Sequence, residues 1–262
     1  MDALIGDTRK ALRIGLLGCG RISARHVDAV ASMGNLARIA ATCDIIPQRA
    51  RRAAEQAGCV PWFTDVSAML GAGGLDAVAV CSPSGLHPQH GCLAASAGCH
   101  VLCEKPAGIT LAAVDGLMET CARAGRRLFV VMQNRLNPPV AALKQAVDAG
   151  RFGRICLAEA NVFWCRPQAY YDEASWRGTI ALDGGAFMNQ ACHYVDLLQW
   201  LLGDVVQVSA MSGTLARCIE ADDTGSAILR FASGAIASVN VTMVVQPRNF
   251  EGAVTVIGTQ GT

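Results

Sequence analysis

The chain has 262 residues, 52% of them apolar, 16% charged and 5% aromatic, which excludes a disordered or low-complexity protein. Twenty-two Lys and Arg against 21 Asp and Glu leave a net charge of +1, so no long-range field draws in nucleic acid or an anionic membrane. The length suits one large domain or two modest ones, with cores that need neither disulfide nor metal.

The N-terminal ten residues carry Asp2 and Asp7 and no apolar run before Arg9, which argues against a signal peptide. From there the first half alternates short apolar runs with Ala-rich segments, the rhythm of a parallel sheet buried on both faces. Strands are predicted over 12–17, 38–43, 77–81, 100–103 and 127–132. Helices are predicted over 21–33, 47–57, 66–70, 88–97 and 111–124, most of them stopped by a glycine. Residues 77–103 hold no Asp, Glu, Lys or Arg, yet Pro83, His87, Pro88 and His90 interrupt the run well short of a membrane span.

Beyond residue 132 the pattern changes. A helix over 139–149 precedes a long strand over 154–164, a polar aromatic stretch through Tyr170 and Tyr171, and a helix over 185–202. Strands over 206–211, 226–231, 235–243 and 252–257 follow, with Ser233-Gly234 as a hairpin turn. The expected architecture is α/β. Residues 1–132 form a doubly wound Rossmann domain with a parallel sheet, and 133–262 form an α+β domain with a mostly antiparallel open sheet.

The twelve cysteines are scattered singly with no CxxC, which reads as free thiols in a reducing, cytoplasmic compartment and gives no metal site. Arginine supplies 19 of the 22 cations, so Lys105 in its apolar setting stands out.

The first strand runs into Gly18-Cys19-Gly20-Arg21-Ile22-Ser23, a GxGxxG variant whose third glycine is Ser. Gly18 permits the tight turn, Gly20 lets backbone approach a pyrophosphate, and the following helix offers N–H groups. Asp44, 24 residues past Gly20, can bind the adenosine ribose and would repel a 2'-phosphate, so NAD is favoured over NADP. The turn Ser82-Pro83-Ser84-Gly85-Leu86-His87 lies beyond a strand end, where open α/β sheets place ligands. Glu104-Lys105-Pro106 ends the next strand; it reads either as a lysine beside the nicotinamide, aimed by a cis proline, or as a surface ion pair. Asn189, His193 and Asp196, at spacings of four and three, share one helical face. There Asp196 can orient the imidazole while Asn189 faces the same substrate, although a lone helical histidine is often structural.

Together Gly18-Cys19-Gly20 with His26, Ser82-Pro-Ser-Gly-Leu-His87, Glu104-Lys105-Pro106 and Asp183-Gly-Gly with His193-Tyr-Val-Asp196 resemble the glucose-fructose oxidoreductase / inositol dehydrogenase / MocA family of NAD(P)-dependent sugar oxidoreductases. The likeness covers essentially the whole chain. The stretches Gln133-Asn-Arg-Leu-Asn137, 161–171, Trp176-Arg-Gly-Thr179 and 183–193 are most similar to the WlbA type, the UDP-N-acetyl-2-amino-2-deoxy-D-glucuronate 3-dehydrogenases of lipopolysaccharide sugar synthesis.

The resemblance implies that Lys105 and His193 flank the hydroxyl being oxidised, with the hydride passing to NAD. Asn189 stands where many members have Asp, so the base is His193 or Lys105. A histidine pKa of about 6.5 suits the task better than a lysine near about 10.4, which makes Lys105 the polarising donor; the reverse assignment stays open. Arg135, Arg166 and Arg177 are candidates for the substrate carboxylate and pyrophosphate, with Tyr170 or Tyr171 to stack on a base or sugar. The resemblance adds Arg21, Ile22, Ser82, Pro83, His87, Glu104, Lys105, Gln133, Trp176 and Arg177 as cofactor contacts. It also implies a homo-oligomer, dimer or tetramer, and a chain that stops short of its relatives' C-terminus. Two alternatives to the nucleotide-sugar enzyme are a dehydrogenase of a free cyclitol or monosaccharide and a non-catalytic dinucleotide-binding protein.

Overall fold

A computed structural model describes residues 10–262, so nine of the ten residues read above for a signal peptide lie outside it. The chain divides after Val131 into two compact units.

The first unit runs β1 (Leu12–Leu17), α1 (Ser23–Ser32), β2 (Ala37–Cys43), α2 (Pro47–Gln56), β3 (Trp62–Phe63), α3 (Val66–Gly71), β4 (Ala77–Val80), α4 (His87–Ser96), β5 (His100–Cys103), α5 (Leu111–Arg123) and β6 (Leu128–Val130). Its strands are all parallel, in the order β3-β2-β1-β4-β5-β6. Successive strand side chains point to opposite faces, and here both faces are covered. Leu16, Ile39 and Ala79 pack with Val27 and Val30 of α1 on one side. Leu17, Val78, Val80 and Val101 pack with Leu117 of α5 on the other. That double burial is why the strands read as continuous apolar runs. The strand order reverses between β1 and β4, which opens a crevice at their carboxyl ends. β3 was not expected: it pairs only Thr42 with Trp62 and Cys43 with Phe63, too short to show a period.

The second unit runs α6 (Pro138–Asp148), β7 (Ile155–Phe163), α7 (Gln168–Asp172), a π-turn (Ala186–Gln190), α8 (Cys192–Leu202), β8 (Val205–Gly213), β9 (Thr224–Phe231), β10 (Ile236–Thr242) and β11 (Glu251–Gly258). The sheet order is β11-β7-β10-β9-β8, antiparallel except for the parallel β7–β10 pair. Ala158, Ala160, Val162, Ala237, Val239 and Val241 turn to one face and bury with Leu198 and Leu201 of α8. Small alanines let the helix sit close to the strands.

The helix predicted over 185–202 is in fact two pieces, the π-turn and α8, joined at Ala191. Gly184 and Gly185 enter it with φ of +83° and +89°, and a Cβ on Gly185 would fall onto the Asp222 carboxylate. That carboxylate accepts hydrogen bonds from the N–H groups of Ala186 and Phe187 at 3.1 and 3.4 Å, so a residue 36 positions away caps the turn. Burial raises the Asp222 pKa against these donors.

Its neighbour Asp223 is fully buried and accepts from the backbone N–H groups of Leu215, Ala216 and Arg217 at 3.0, 2.8 and 2.7 Å. Burial acts to raise its pKa, but these donors outweigh it and hold the carboxyl below its ordinary value. A depressed folded pKa contributes stability that is present above the unfolded value, about 3.9, and is lost as pH falls through the folded one. Asp223→Ala is therefore expected to cost about 3 kcal/mol at pH 7 in urea unfolding, because three backbone donors lose the buried carboxylate that gathers them. The gap from wild type should narrow below about pH 4; an equal gap at pH 3 and pH 7 would contradict this.

No helix among the described residues is long and apolar enough to cross a membrane.

Candidate active site

In the first unit, β1 ends at Gly18, whose φ is +91°. A Cβ there would lie 2.6 Å from the Cys81 carbonyl and the Ser82 nitrogen, so the ends of β1 and β4 touch through a missing side chain. Gly20 is the opposite case, since a Cβ on it would meet nothing within 4 Å. Open space therefore adjoins the start of α1, which no side chain caps, the arrangement that suits an anionic phosphate. Ser23, standing for the third glycine, donates its hydroxyl to the Gly20 carbonyl at 2.6 Å. Arg21 and Ile22 lead from this turn into the helix.

Asp44 follows β2 and is 8% exposed. Its Oδ2 accepts from the Cys19 N–H and its Oδ1 from the Ile46 N–H, both at 2.8 Å. These bonds pin the carboxylate beside the glycine turn, with lone pairs left over for ribose hydroxyls. The open space at Gly20, the uncapped helix start and the pinned acid fit NAD, and a 2'-phosphate would be repelled.

Beyond β4, His87 is 1% exposed. Its Nδ1 and Nε2 lie 2.7 Å from the carbonyl oxygens of Pro106 and Ser82, so it ties the loop after β4 to the loop after β5. Burial lowers its pKa despite the two carbonyls. His87, expected as a cofactor contact, is thus a buried strut between the two loops that end the central strands. The Ser82 hydroxyl is 2.8 Å from Nδ1 of His90; Pro83 precedes the 3₁₀ turn Ser84–Leu86.

Glu104, Lys105 and Pro106 follow β5, and the Lys105–Pro106 peptide is cis. Glu104 is 8% exposed; its Oε1 lies 2.8 Å from Nε2 of His26 and its Oε2 accepts from the Lys105 N–H at 3.3 Å. Burial acts to raise its pKa, but the His26 hydrogen bond and charge together with Lys105 carry it below the ordinary value. Glu104, expected as a cofactor contact, is thus held in place by His26. Lys105 itself is half-buried.

In the second unit, Gln133 and Arg135 stand on a 3₁₀ turn, Gln133–Leu136. The Gln133 carboxamide nitrogen is 3.2 Å from Nε2 of His193, and His193 is 6% exposed. Arg135 donates to both oxygens of Asp196, at 2.8 and 2.5 Å. Asp196 therefore pairs with Arg135, where the imidazole was its expected partner, and Arg135, expected at the substrate carboxylate, spends one edge of its guanidinium on this pair. Asn189 lies in the π-turn, so its four-residue step to His193 does not follow the α-helical face expected. Its amide donates to Oδ1 of Asp183, whose Oδ2 accepts from the Gly178 N–H at 2.8 Å. Asp183 thus ties Asn189 to the Gly178 turn, and its sequence signal is an acid placed ahead of Gly-Gly.

Arg166 donates to Oε1 of Gln190 at 3.2 Å and to the Cys165 carbonyl at 2.9 Å. Its guanidinium stands 5.0 and 5.4 Å from the rings of Trp164 and Tyr170. Arg177 donates to the Tyr170 carbonyl and to Glu173, both at 2.6 Å, and lies 4.2 Å from the Tyr170 ring and 5.8 Å from Trp176. Tyr171 meets Tyr170 edge-on and is 6% exposed; burial raises its pKa. Tyr170, the other ring expected to stack on a base or sugar, is the more exposed of the pair. A cleft of about 290 Å³, lined by Gln168, Tyr171, Arg177, Thr179, Cys218 and Glu220, adjoins this segment. Among the described residues no group of three or more His, Cys, Asp or Glu is placed to hold a metal ion.

Residues 12–132 match the family model described as an oxidoreductase family with an NAD-binding Rossmann fold, and residues 140–262 match the GFO/IDH/MocA C-terminal domain. The chain is 49% identical to the WlbA dehydrogenase of Bordetella pertussis, solved in complex with NADH and UDP-GlcNAcA; the match has a TM-score of 0.92 and covers 95% of this chain and 77% of that one. The WlbA dehydrogenase of Chromobacterium violaceum, solved with the same two ligands, is 43% identical with a TM-score of 0.94, covering 98% of this chain and 74% of that one. The D-apiose dehydrogenase of Paraburkholderia graminis is 29% identical over 236 residues, 89% of this chain. The chain spans only 61% of the length of that relative.

Proposed function

Since the chain belongs to the GFO/IDH/MocA oxidoreductase family, we propose that it is an NAD-dependent dehydrogenase that oxidises the C3 hydroxyl of UDP-N-acetyl-2-amino-2-deoxy-D-glucuronate (UDP-GlcNAcA) to the 3-oxo sugar nucleotide. The observation that carries this reading is the 49% and 43% identity to two dehydrogenases solved with NADH and UDP-GlcNAcA, well above the 27–31% shared with curated apiose and inositol dehydrogenases.

NAD, when bound, supplies the hydride acceptor. Gly18 and Gly20 with the start of α1 hold its pyrophosphate, and Asp44 holds its adenosine ribose. Arg21, Ile22, Ser82, Pro83, Trp176 and Arg177 complete the cofactor contacts. His193 takes the hydroxyl proton, and Lys105 donates a hydrogen bond to the oxygen that becomes the carbonyl. Asn189 has no titrating group, so it orients the sugar. Arg166 and the exposed part of Tyr170 bind the anionic and planar portions of the nucleotide. The pathway is lipopolysaccharide sugar synthesis in the cytoplasm, in keeping with twelve free cysteines, and the working form is a homodimer or homotetramer.

Absorbance at 340 nm after mixing protein, NAD and UDP-GlcNAcA tests the reading. NADH formation is expected with the uronate and not with myo-inositol. Response to myo-inositol alone would move the chain to the cyclitol dehydrogenases, and silence toward both would favour a binding protein without turnover. Lys105→Ala should lower turnover by about 10²-fold or more, as loss of a positioned proton donor does; unchanged turnover would refute its assigned role.

A further inference from the structure

Two contacts in the second unit join one turn to one helix and converge near His193. His193, Asp196 and Trp200, spaced three and four apart, form a stripe along α8. Along it lies the turn that carries Gln133 and Arg135. Arg135 holds both Asp196 oxygens and stands 5.3 Å from the Trp200 ring, with the Lys144 ammonium 5.5 Å from the same ring. Gln133, two residues earlier, reaches Nε2 of His193 at 3.2 Å.

The choice of a carboxamide at this point has a chemical consequence. With its oxygen turned toward the ring it accepts from a protonated Nε2, which leaves Nδ1 as the basic nitrogen, and the same bond persists when Nδ1 takes the hydroxyl proton. It can therefore hold the ring in one orientation before and after proton uptake, without a charge that would favour either state. We propose that Gln133 is a positioning residue for His193, and that the Arg135–Asp196 ion pair is the anchor that fixes its turn against α8. The inference rests on the reading of His193 as the base. It gives Arg135 a function other than substrate binding and explains why its guanidinium is spent on a partner within the fold.

Gln133→Glu, Gln133→Met, Arg135→Met and Arg135→Lys test it in the full chain, with histidine ¹⁵N and ¹³C signals assigned by His193→Ala. The glutamate favours imidazolium, so its variant should shift the His193 titration and the acid limb of kcat upward by about one pH unit. The flanking charges Arg135, Asp196 and Lys144 are unchanged in the Gln133 variants. Gln133→Met should redistribute the ring tautomers and lower kcat about tenfold or more. Arg135→Met should act in the same direction, with partial recovery in Arg135→Lys. If the ring signals and the acid limb stay put in Gln133→Glu, the inference is overturned. It is equally overturned if Gln133→Met only weakens NADH binding, which would make Gln133 a cofactor contact. An active His193→Ala enzyme, with ring signals in the wild-type background still responding to Gln133, would instead remove the base reading alone.

Discussion

Gly18→Ala is expected to lower stability by about 3 kcal/mol and to abolish NAD binding, whereas Gly20→Ala should fold normally and lose only affinity. At Gly18 two costs combine. A non-glycine residue at a φ of +91° is strained by about 1–3 kcal/mol, and its Cβ would press at 2.6 Å on the backbone at Cys81 and Ser82, where neither strand end can yield without breaking the parallel pairing of β1 and β4. The melting temperature should fall by roughly 10 °C. At Gly20 a methyl group meets no protein atom, so stability should stay within about 1 kcal/mol. The methyl instead occupies the space we assign to the pyrophosphate, and the NADH dissociation constant should rise about tenfold or more. Calorimetry paired with titration of NADH fluorescence separates the two effects. If Gly18→Ala melts like the wild type, the close approach of β1 to β4 is wrong.

The second large effect falls on chemistry and spares binding. His193→Ala should lower kcat by about 10²–10⁴-fold, the usual contribution of a positioned general base, while NADH affinity is retained because the glycine turn and Asp44 belong to the other unit. The acid limb of the pH–rate profile, which marks protonation of the base, should vanish with the imidazole. A residual activity within tenfold of wild type would hand the base to Lys105 and reverse the assignment. A drop confined to KM would reduce His193 to a substrate contact.

The Rossmann half was legible because its signals are local. Apolar runs ending in Gly18, and glycines at most helix ends, arise from strand burial and from backbone conformations that few other residues adopt. The pairing of Asp44 with the glycine turn was legible too, since a fixed crossover length brings the end of β2 beside the end of β1. In the second half the strands carried a period of two, visible in Ala158, Ala160 and Val162. The helix of His193 was misread because glycine conformations and a distant acid break it: periodicity over 185–202 fits one helix, and only Asp222, capping from 36 residues away, shows the π-turn.

The same division holds at the candidate site. Residue type and short-range order determined which groups we assign to the proposed reaction: two glycines and an acid for the dinucleotide, one lysine in an arginine-rich chain, one histidine on an apolar helix. The tertiary structure decided how those groups are used. It gave Asp196 to Arg135, His87 to two carbonyls, Glu104 to His26 and Gln133 to His193. Hydrogen-bond and ion-pair partners are chosen by distance and burial in three dimensions. Contacts spanning 19 to 78 positions leave no trace in the spacing of neighbouring residues, so only folding selects among the several acids, amides and carbonyls each polar group might have met.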